Sequence, residues 1–467
     1  MSAPSITVLG GGESGVGSAL LAQAVGGEAW VSDAGALKPG LRGELEAAGI
    51  PFEEGGHDAE RVLASELVVK SPGIPETAPL VVALRERGVE VVSEIEWASR
   101  FATGHVIGIT GANGKTTTTA LTAHVLGEAG LDVACVGNIG RSWARDLAER
   151  RVAGRGDATH HVVEVSSFQL DGCTTFRPDT AILLNITPDH LDRYGYDLTR
   201  YADAKWRITQ AQQASDVLTL NADDPISLER WAERGTQARI VAISTEHTTT
   251  ALRERWGDAV WGVAGLAQHT PEQFEINLPQ LNPFTMTIHE LALQGKHNLH
   301  NSMAASVAGR ILELRKEGIR DSLSRFDGIE HRMEAVSTVN GIDFINDSKA
   351  TNVNSTWYAL DSLTGPIVWI AGGVDKGNDY TSLMHLVEGK VDHLICLGKD
   401  NAKLHAAFGE KVKSVTDVES AAAAVERAYD LAMPGMTVLL SPACASFDLF
   451  GSYEERGRAF KAAVRAL

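Results

Sequence analysis

The sequence predicts an α/β protein built from several mostly parallel sheets, and three observations lead there. Short apolar strands alternate with Ala/Leu-rich helical stretches from one end to the other, Gly-rich turns follow several of those strands, and 467 residues suffice for two to four domains at roughly 100 to 200 residues each. With 44% hydrophobic and 22% charged residues, the composition is that of a folded chain and not of a disordered one.

The elements follow in order. Ile6 to Leu9, Ala29 to Val31 and Leu67 to Lys70 read as strands of a first unit that finishes in a helix around Glu94 to Phe101. A new strand starts at His105 and runs to Thr110, which places the first boundary near residue 101. Further strands are expected at Thr159 to Val165, Thr180 to Asn185, Val217 to Asn221 and Ile240 to Ile243. Residues 244–290 are turn-rich, with alternation from Phe274 and again from Phe284, and are expected to form a small antiparallel subregion. A helix from about Asn298 to Leu314 follows, then strands at Ile342 to Asn346, Ile367 to Ala371, His393 to Leu397 and Thr437 to Leu440. The second boundary falls near residue 327, giving units 1–101, 102–327 and 328–467.

Charge and targeting signals exclude several classes. The formal charge of −18, from 42 basic and 60 acidic residues, argues against nucleic acid as the main partner. No apolar run approaches the length of a membrane span and the start lacks a leader pattern, so a cytoplasmic protein without a membrane partner is expected. The four cysteines, Cys135, Cys173, Cys396 and Cys444, are far apart, and buried free thiols are expected.

The clearest chemical signal is Val106-Ile-Gly-Ile-Thr-Gly111-Ala-Asn-Gly114-Lys115-Thr116-Thr117, an apolar strand running into a glycine loop and a helix. Backbone N–H groups of such a loop surround phosphate oxygens, Lys115 offsets the charge of the outer phosphates of ATP, and the Thr116 hydroxyl reaches Mg²⁺. Ile109 stands where the longer P-loop pattern has its first glycine, so only the shorter form is present. Near the N-terminus, Gly10-Gly-Gly12-Glu-Ser-Gly15 follows a strand, and Asp33 closes the next one. That pattern fits a dinucleotide, another nucleotide conjugate or a merely tight turn, and by itself does not choose among them.

Five further stretches accumulate in order: Glu164-Val-Ser-Ser-Phe-Gln-Leu170, Asn185-Ile-Thr-Pro-Asp-His190-Leu-Asp192, Asn221-Ala-Asp-Asp-Pro225, Asn346-Asp347-Ser-Lys349-Ala-Thr351-Asn352 and Ser441-Pro-Ala-Cys-Ala-Ser446-Phe-Asp448. Together with the phosphate loop they make the chain resemble the Mur ligases over essentially its whole length. The resemblance implies three domains: a Rossmann-like UDP-binding domain, a central P-loop ATPase domain and a C-terminal Rossmann-like domain that binds the amino acid and closes over ATP about a hinge at 315–330. The 346–352 segment, with no D-N-P-R motif anywhere, points within the family to the activity that adds D-glutamate to UDP-N-acetylmuramoyl-L-alanine in peptidoglycan precursor synthesis, acting as a monomer. It also favours UDP over NAD at the first glycine turn.

The same resemblance implies the site. Gly111, Asn113, Gly114, Lys115, Thr116 and Thr117 would hold the ATP phosphates, and Asn298, Asn301, His331, Arg332 and Asp347 the rest of the nucleotide, with the Arg332 guanidinium reaching across to the γ-phosphate. Ser14, Gly15, Asp33, Gly73, Asn138, Ser166 and His190 would face the UDP substrate. Lys349, Thr351, Lys376, Ser446 and Tyr453 would receive D-glutamate, with Lys349 also catalytic. Two Mg²⁺ ions would be held by Thr116, Glu164, His190 and Lys205, the last as a carbamate, since a free ammonium beside the ion would repel it. Each role has an ordinary alternative: Glu164 as a solvated strand-end carboxylate, His190 as a loop side chain, Lys205 as a helix-surface lysine, Arg332 in a surface ion pair. Two features depart from the family: Asp33-Ala34-Gly35 lacks polar side chains after the acidic residue, and the stretch between Lys205 and Gly295 is long. An idle nucleotide-binding protein and an NAD-dependent dehydrogenase are the competing readings.

Overall fold

The computed structural model describes residues 5–326, 328–375 and 377–467, and its backbone is organised around three sheets. In the first, β1 (Ser5–Leu9), β2 (Glu28–Ser32), β3 (Phe52–Glu53), β4 (Leu67–Lys70) and β5 (Glu90–Val92) are parallel and ordered β3-β2-β1-β4-β5. The chain leaves β1 toward β2 on one side and returns to β4 on the other, so the carboxyl ends of β1 and β4 mark the point where the strand order reverses. The glycine turn after β1 and the loop after β4 meet there, Ser71 donating its N–H to the Leu9 carbonyl at 2.8 Å.

The second sheet holds β6 (His105–Thr110), β7 (Val133–Gly137), β8 (His160–Glu164), β9 (Thr180–Leu183), β10 (Val217–Asn221), β11 (Arg239–Thr248), β12 (Gly262–Ala267), β13 (Thr270–Asn277) and β14 (Phe284–Thr287). Its order is β14-β13-β12-β11-β10-β9-β6-β8-β7, parallel except where β13 and β14 turn back. The expected antiparallel subregion is therefore real but not separate, because it continues the large sheet. β6 is buried almost throughout, which is why His105-Val-Ile-Gly-Ile-Thr110 reads as a continuous run and not as an alternation.

The third sheet comprises β15 (Glu334–Val339), β16 (Ile342–Asn346), β17 (Ile367–Ala371), β18 (Val391–Leu397), β19 (Ser414–Val418) and β20 (Thr437–Leu440), ordered β15-β16-β20-β17-β18-β19 with only β15 antiparallel. Helices cover both faces: Trp369, Leu394 and Leu439 pack with Phe408 on one, while Phe344, Ile370 and Ile395 pack with Phe460 on the other.

Packing divides the chain into Met1–Phe326 and Asp327–Leu467. Within the first unit the core runs unbroken from Ile6 through Trp97 and Trp143 to Val263. Two buried carboxylates on helix Glu94–Ser99 explain the continuity between its two sheets. Glu96 accepts the backbone N–H groups of Thr174, Thr175 and Phe176 at 3.0, 2.9 and 2.8 Å, and Glu94 accepts that of Ala144 at 2.6 Å. The sequence break near 101 is thus a change of sheet inside one packed body. Within the stretch expected to hold the hinge, Lys316–Ser324 form a helix. Among the cysteines Cys173, Cys396 and Cys444 are buried and free as expected, whereas Cys135 is exposed because β7 lies at the sheet edge. No described helix is long and apolar enough to cross a membrane.

Candidate active site

The phosphate loop sits where β6 ends, between β8 and β9. Gly114 has φ +83°, and a Cβ there would lie 2.6 Å from Asn301 Oδ1, so only glycine fits the turn into helix Lys115–Glu128. Asn301 is buried, and its Oδ1 accepts from Thr118 Oγ1 at 3.2 Å while Nδ2 reaches Asn298 Oδ1 at 3.4 Å. The two asparagines therefore brace the loop from helix Lys296–Ile311. Asn185, just past β9, braces it from the other side: its Oδ1 accepts the Asn113 N–H at 2.9 Å, its Nδ2 donates to the Asn113 carbonyl at 3.1 Å, and its carbonyl accepts the Ala112 N–H at 2.8 Å. Sequence reasoning assigned Asn185 no role, although it opens the Asn185-Ile-Thr-Pro-Asp-His190 stretch.

Two ammonium groups converge on one carbonyl. Lys115 Nζ donates to Gly111 O at 2.8 Å and Lys205 Nζ donates to the same oxygen at 2.7 Å. Lys205 is 1% exposed, in a helix (Leu198–Trp206) whose Tyr201 ring lies 4.5 Å below the ammonium. Burial first, and then the charge of Lys115, push the Lys205 ammonium well below the usual lysine range. Lys205 is therefore no surface lysine.

Glu164 ends β8, 1% exposed. One carboxylate oxygen accepts from Asn138 Nδ2 at 2.9 Å, and the other is buried with no partner among the described residues. An orphaned, buried carboxylate oxygen beside a phosphate loop suits a divalent cation. Thr116 is buried at the start of the loop's helix, and Thr117 Oγ1 is likewise buried without a partner. His190 has a left-handed backbone, φ +52°, and its ring lies edge-on to Phe168 at 5.3 Å, with Asp189 Oδ2 3.7 Å from Nε2. Ser166 is committed locally: its hydroxyl caps helix Ser167–Asp171 in a reciprocal box with Gln169.

At the first glycine turn, packing accounts for the glycines. A Cβ at Gly15 would stand 1.9 Å from the Gly10 carbonyl oxygen, and one at Gly10 would stand 2.7 Å from Ser71 Cβ. Asp33 spends one oxygen on the Gly11 N–H at 2.6 Å and the other on the Gly35 N–H at 2.8 Å, so Ala34-Gly35 belongs to the turn that fixes this carboxylate. Ser14 lies in the first turn of the helix, and the Gly73 carbonyl accepts from Arg193 at 3.4 Å.

In the second unit, the remaining predicted residues come from the carboxyl ends of β16 and β20 and from the loop before β15. His331 is buried, φ +67°, and its Nδ1 faces Asn346 Nδ2 at 2.8 Å. Asp347 is buried and accepts from Ser441 Oγ at 2.9 Å and the Met333 N–H at 3.2 Å. Desolvation pushes its carboxyl up to about 7, against the lowering field of Arg332. Lys349 Nζ lies 5.3 Å over the Tyr453 ring, Thr351 follows two residues on, and Ser446 is buried. Lys376 lies outside the described residues.

Family models match the chain in three consecutive parts: the Mur ligase MurD-like N-terminal domain at residues 4–93, the Mur ligase middle domain at 109–309 and the Mur ligase glutamate ligase domain at 331–444. The UDP-N-acetylmuramoylalanine–D-glutamate ligase of Bacteroides fragilis is 48% identical, covering 99% of each chain. The protein of the same name from Porphyromonas gingivalis is 47% identical over 98% of each, and that of Chlorobaculum parvum 42% identical over 99% of this chain and 97% of its own. Among solved structures, a UDP-N-acetylmuramate-alanine ligase from Thermotoga maritima (18% identity, TM-score 0.61) and a pseudomurein peptide ligase from Methanothermus fervidus (19%, TM-score 0.60) each align over 99% of both chains, a likeness of fold.

Proposed function

The chain belongs to the Mur ligase family, and from that premise we propose that it joins D-glutamate to UDP-N-acetylmuramoyl-L-alanine at the expense of ATP, in the cytoplasmic synthesis of peptidoglycan precursor. The observation that carries the reading is the near-full-length identity of 48% to a ligase of that name. The Asn346–Asn352 segment supports the choice of amino acid.

In this reaction a carboxylate oxygen of the L-alanyl group attacks the γ-phosphorus and ADP leaves. The amine of D-glutamate then attacks the acyl carbon, and the tetrahedral intermediate expels phosphate. Charge gathers on oxygen in both steps, so the protein's work is positioning and electrostatic stabilisation. Lys115 and the N–H groups of Gly111 to Thr117 would cradle the phosphates. Asn298, Asn301, His331, Arg332 and Asp347 would serve the rest of ATP, whether by contact or, as Asn301 does for Gly114, by fixing the loop that makes it. The first glycine turn with Ser14, Gly15, Asp33 and Gly73 would hold the UDP end, and Asn138, Ser166 and His190 the substrate's other end. Lys349, Thr351, Lys376, Ser446 and Tyr453 would hold the two carboxylates of D-glutamate.

Mg²⁺, taken as two ions, would be held by Thr116 and Glu164 and by His190 with carbamylated Lys205, and would supply charge neutralisation at the transferring phosphoryl group. The orphaned Glu164 oxygen supports the first site. The burial of Lys205 against Lys115 supports a modified side chain, because a carbamate turns a repulsion between two ammonium groups into an attraction. Domain roles follow the sequence units: 1–101 for UDP, 102–327 for ATP and 328–467 for the amino acid, in a monomer.

The test supplies ATP, Mg²⁺ and UDP-N-acetylmuramoyl-L-alanine, offers D-glutamate, L-glutamate, L-lysine and diaminopimelate separately, and follows phosphate release and product mass. Product with D-glutamate alone is expected. Product with another amino acid moves the chain to a different family activity, and no product with any of them overturns the ligase reading.

A further inference from the structure

Helix Tyr453–Arg465 begins beside the loop end of the third sheet, and Arg456, in its first turn, is 1% exposed. Its guanidinium makes five hydrogen bonds: Nε to Ser348 Oγ at 3.0 Å, one terminal nitrogen to the carbonyls of Gly372 and Cys444 at 3.3 Å each, and the other to the carbonyls of Ser348 at 2.9 Å and Cys444 at 3.3 Å. None of these acceptors is a carboxylate. The carboxyls of Asp448 and Asp347 act on it only through their fields, and burial lowers its pKa to about 10, which leaves it a cation at neutral pH. A buried cation served only by neutral oxygens is costly, so its presence calls for a reason beyond packing.

The acceptors lie in the loops that follow three adjacent strands: Ser348 after β16, Cys444 after β20 and Gly372 after β17. Two of these loops carry described residues assigned above to the amino acid, Lys349 and Thr351 shortly after Ser348 and Ser446 two residues after Cys444. The loops also touch one another, the Val374 N–H donating to the Ala445 carbonyl at 2.8 Å. Ser348 Oγ passes the connection on to the Tyr453 carbonyl at 2.8 Å.

Resting on the reading of this cluster as the D-glutamate site, we propose that Arg456 is its positioning residue: the guanidinium ties the three loops into one frame and keeps beneath them a positive charge that the dicarboxylic amino acid balances. Lysine at this place keeps the charge but loses the fork, and methionine loses both.

The experiment compares wild type with Arg456→Met, Arg456→Lys and Ser348→Ala, measuring KM for D-glutamate and for ATP together with the thermal midpoint. Arg456→Met is expected to raise KM for D-glutamate by roughly 10- to 100-fold while KM for ATP stays within about 3-fold, because bonds to a buried charge and the charge itself are both lost. Arg456→Lys recovers a large part of that loss, and Ser348→Ala gives an increase of a few fold confined to D-glutamate. Equal increases in both KM values, or an unchanged KM for D-glutamate, overturn the proposal. Should Arg456→Met not fold, Arg456→Lys and Ser348→Ala decide it, an unchanged KM for D-glutamate in both counting against. A wild type that makes no product with D-glutamate defeats the site reading itself, whereas a wild type that does, with variants that do not shift its KM, defeats only the role of Arg456.

Discussion

The chain makes the same backbone device twice in its first unit, and the two copies differ in charge. After β1 and after β6 a glycine turn leads from a buried strand into a helix, and in each a glycine is forced by a near neighbour: Gly15 by the Gly10 carbonyl oxygen, Gly114 by Asn301 Oδ1. The first turn presents no ammonium of its own. The nearby Lys70 is buried and turned to the Ile74 carbonyl at 2.8 Å and to Glu76 at 3.1 Å. The second gathers Lys115 and Lys205 on one carbonyl, and the neighbouring strand β8 ends in Glu164 with its orphaned oxygen. Backbone N–H groups and a helix start suffice to dock a diphosphate. Moving a phosphoryl group needs cations where charge develops. The difference teaches that a glycine turn by itself reports a close backbone approach that a phosphate can use, and that the charged side chains around it separate docking from transfer.

The sharpest way to break the contrast is Lys115→Ala. Turnover should fall by about 10³-fold or more, the order seen when a preorganised charge at a transition state is removed, and phosphate release near the wild-type rate would remove the distinction between the turns. Next in size is the joint between them, where Glu94 meets the Ala144 N–H. Burial raises the Glu94 carboxyl to about 7, with its second oxygen buried and unpartnered. The folded chain then keeps a proton that the unfolded chain releases, so this group's stabilisation is present at low pH and is lost as pH rises from about 4.5 to about 7. Glu94→Gln should flatten the stability profile in that window and leave the protein more stable than wild type at pH 8, by up to roughly 3 kcal/mol. Parallel denaturation profiles for the two proteins would contradict a buried, proton-holding Glu94.

Smaller again is Gly15→Ala, whose added methyl meets backbone and not a movable side chain. A loss of about 1 to 3 kcal/mol of stability is expected, read by chemical denaturation, along with weaker UDP-substrate binding. An unchanged variant would mean the first turn can shift. Smallest is Asn185→Ala, which removes both side-chain bonds to Asn113. Turnover should drop about 10-fold through loosened loop geometry, with the thermal midpoint little altered, and full activity would show that the loop holds itself.

Much of the fold was legible because its strands are buried on both faces, leaving continuous runs such as Val217 to Asn221 and Ile367 to Ala371 that no other element imitates. β3 was not, being two residues long, nor were β7, β15 and β19, whose partly exposed residues give no such run. Lys115 and Glu164 stood out as members of ordered motifs and Lys205 only through the family resemblance, and the structure brings Lys115 and Lys205 onto one carbonyl. Asn185, Glu94, Glu96 and Arg456 were silent for one shared reason. Each works by bonding to backbone groups of a distant segment, and a backbone partner leaves no trace in the identity of the residues that supply it. Ser166 and Asp33 were picked out by motif, yet their side-chain oxygens are occupied within the fold, Ser166 by its own helix cap and Asp33 by the N–H groups of Gly35 and of the distant Gly11.

The most direct measurement of the division between the two turns is calorimetric binding of UDP-N-acetylmuramoyl-L-alanine and of ATP, each alone, to wild type, Lys115→Ala and Gly15→Ala. The predicted result is a crossed pattern: Lys115→Ala loses ATP affinity and keeps the UDP substrate, while Gly15→Ala does the reverse. Loss of both ligands in either variant, or of neither in both, would contradict it.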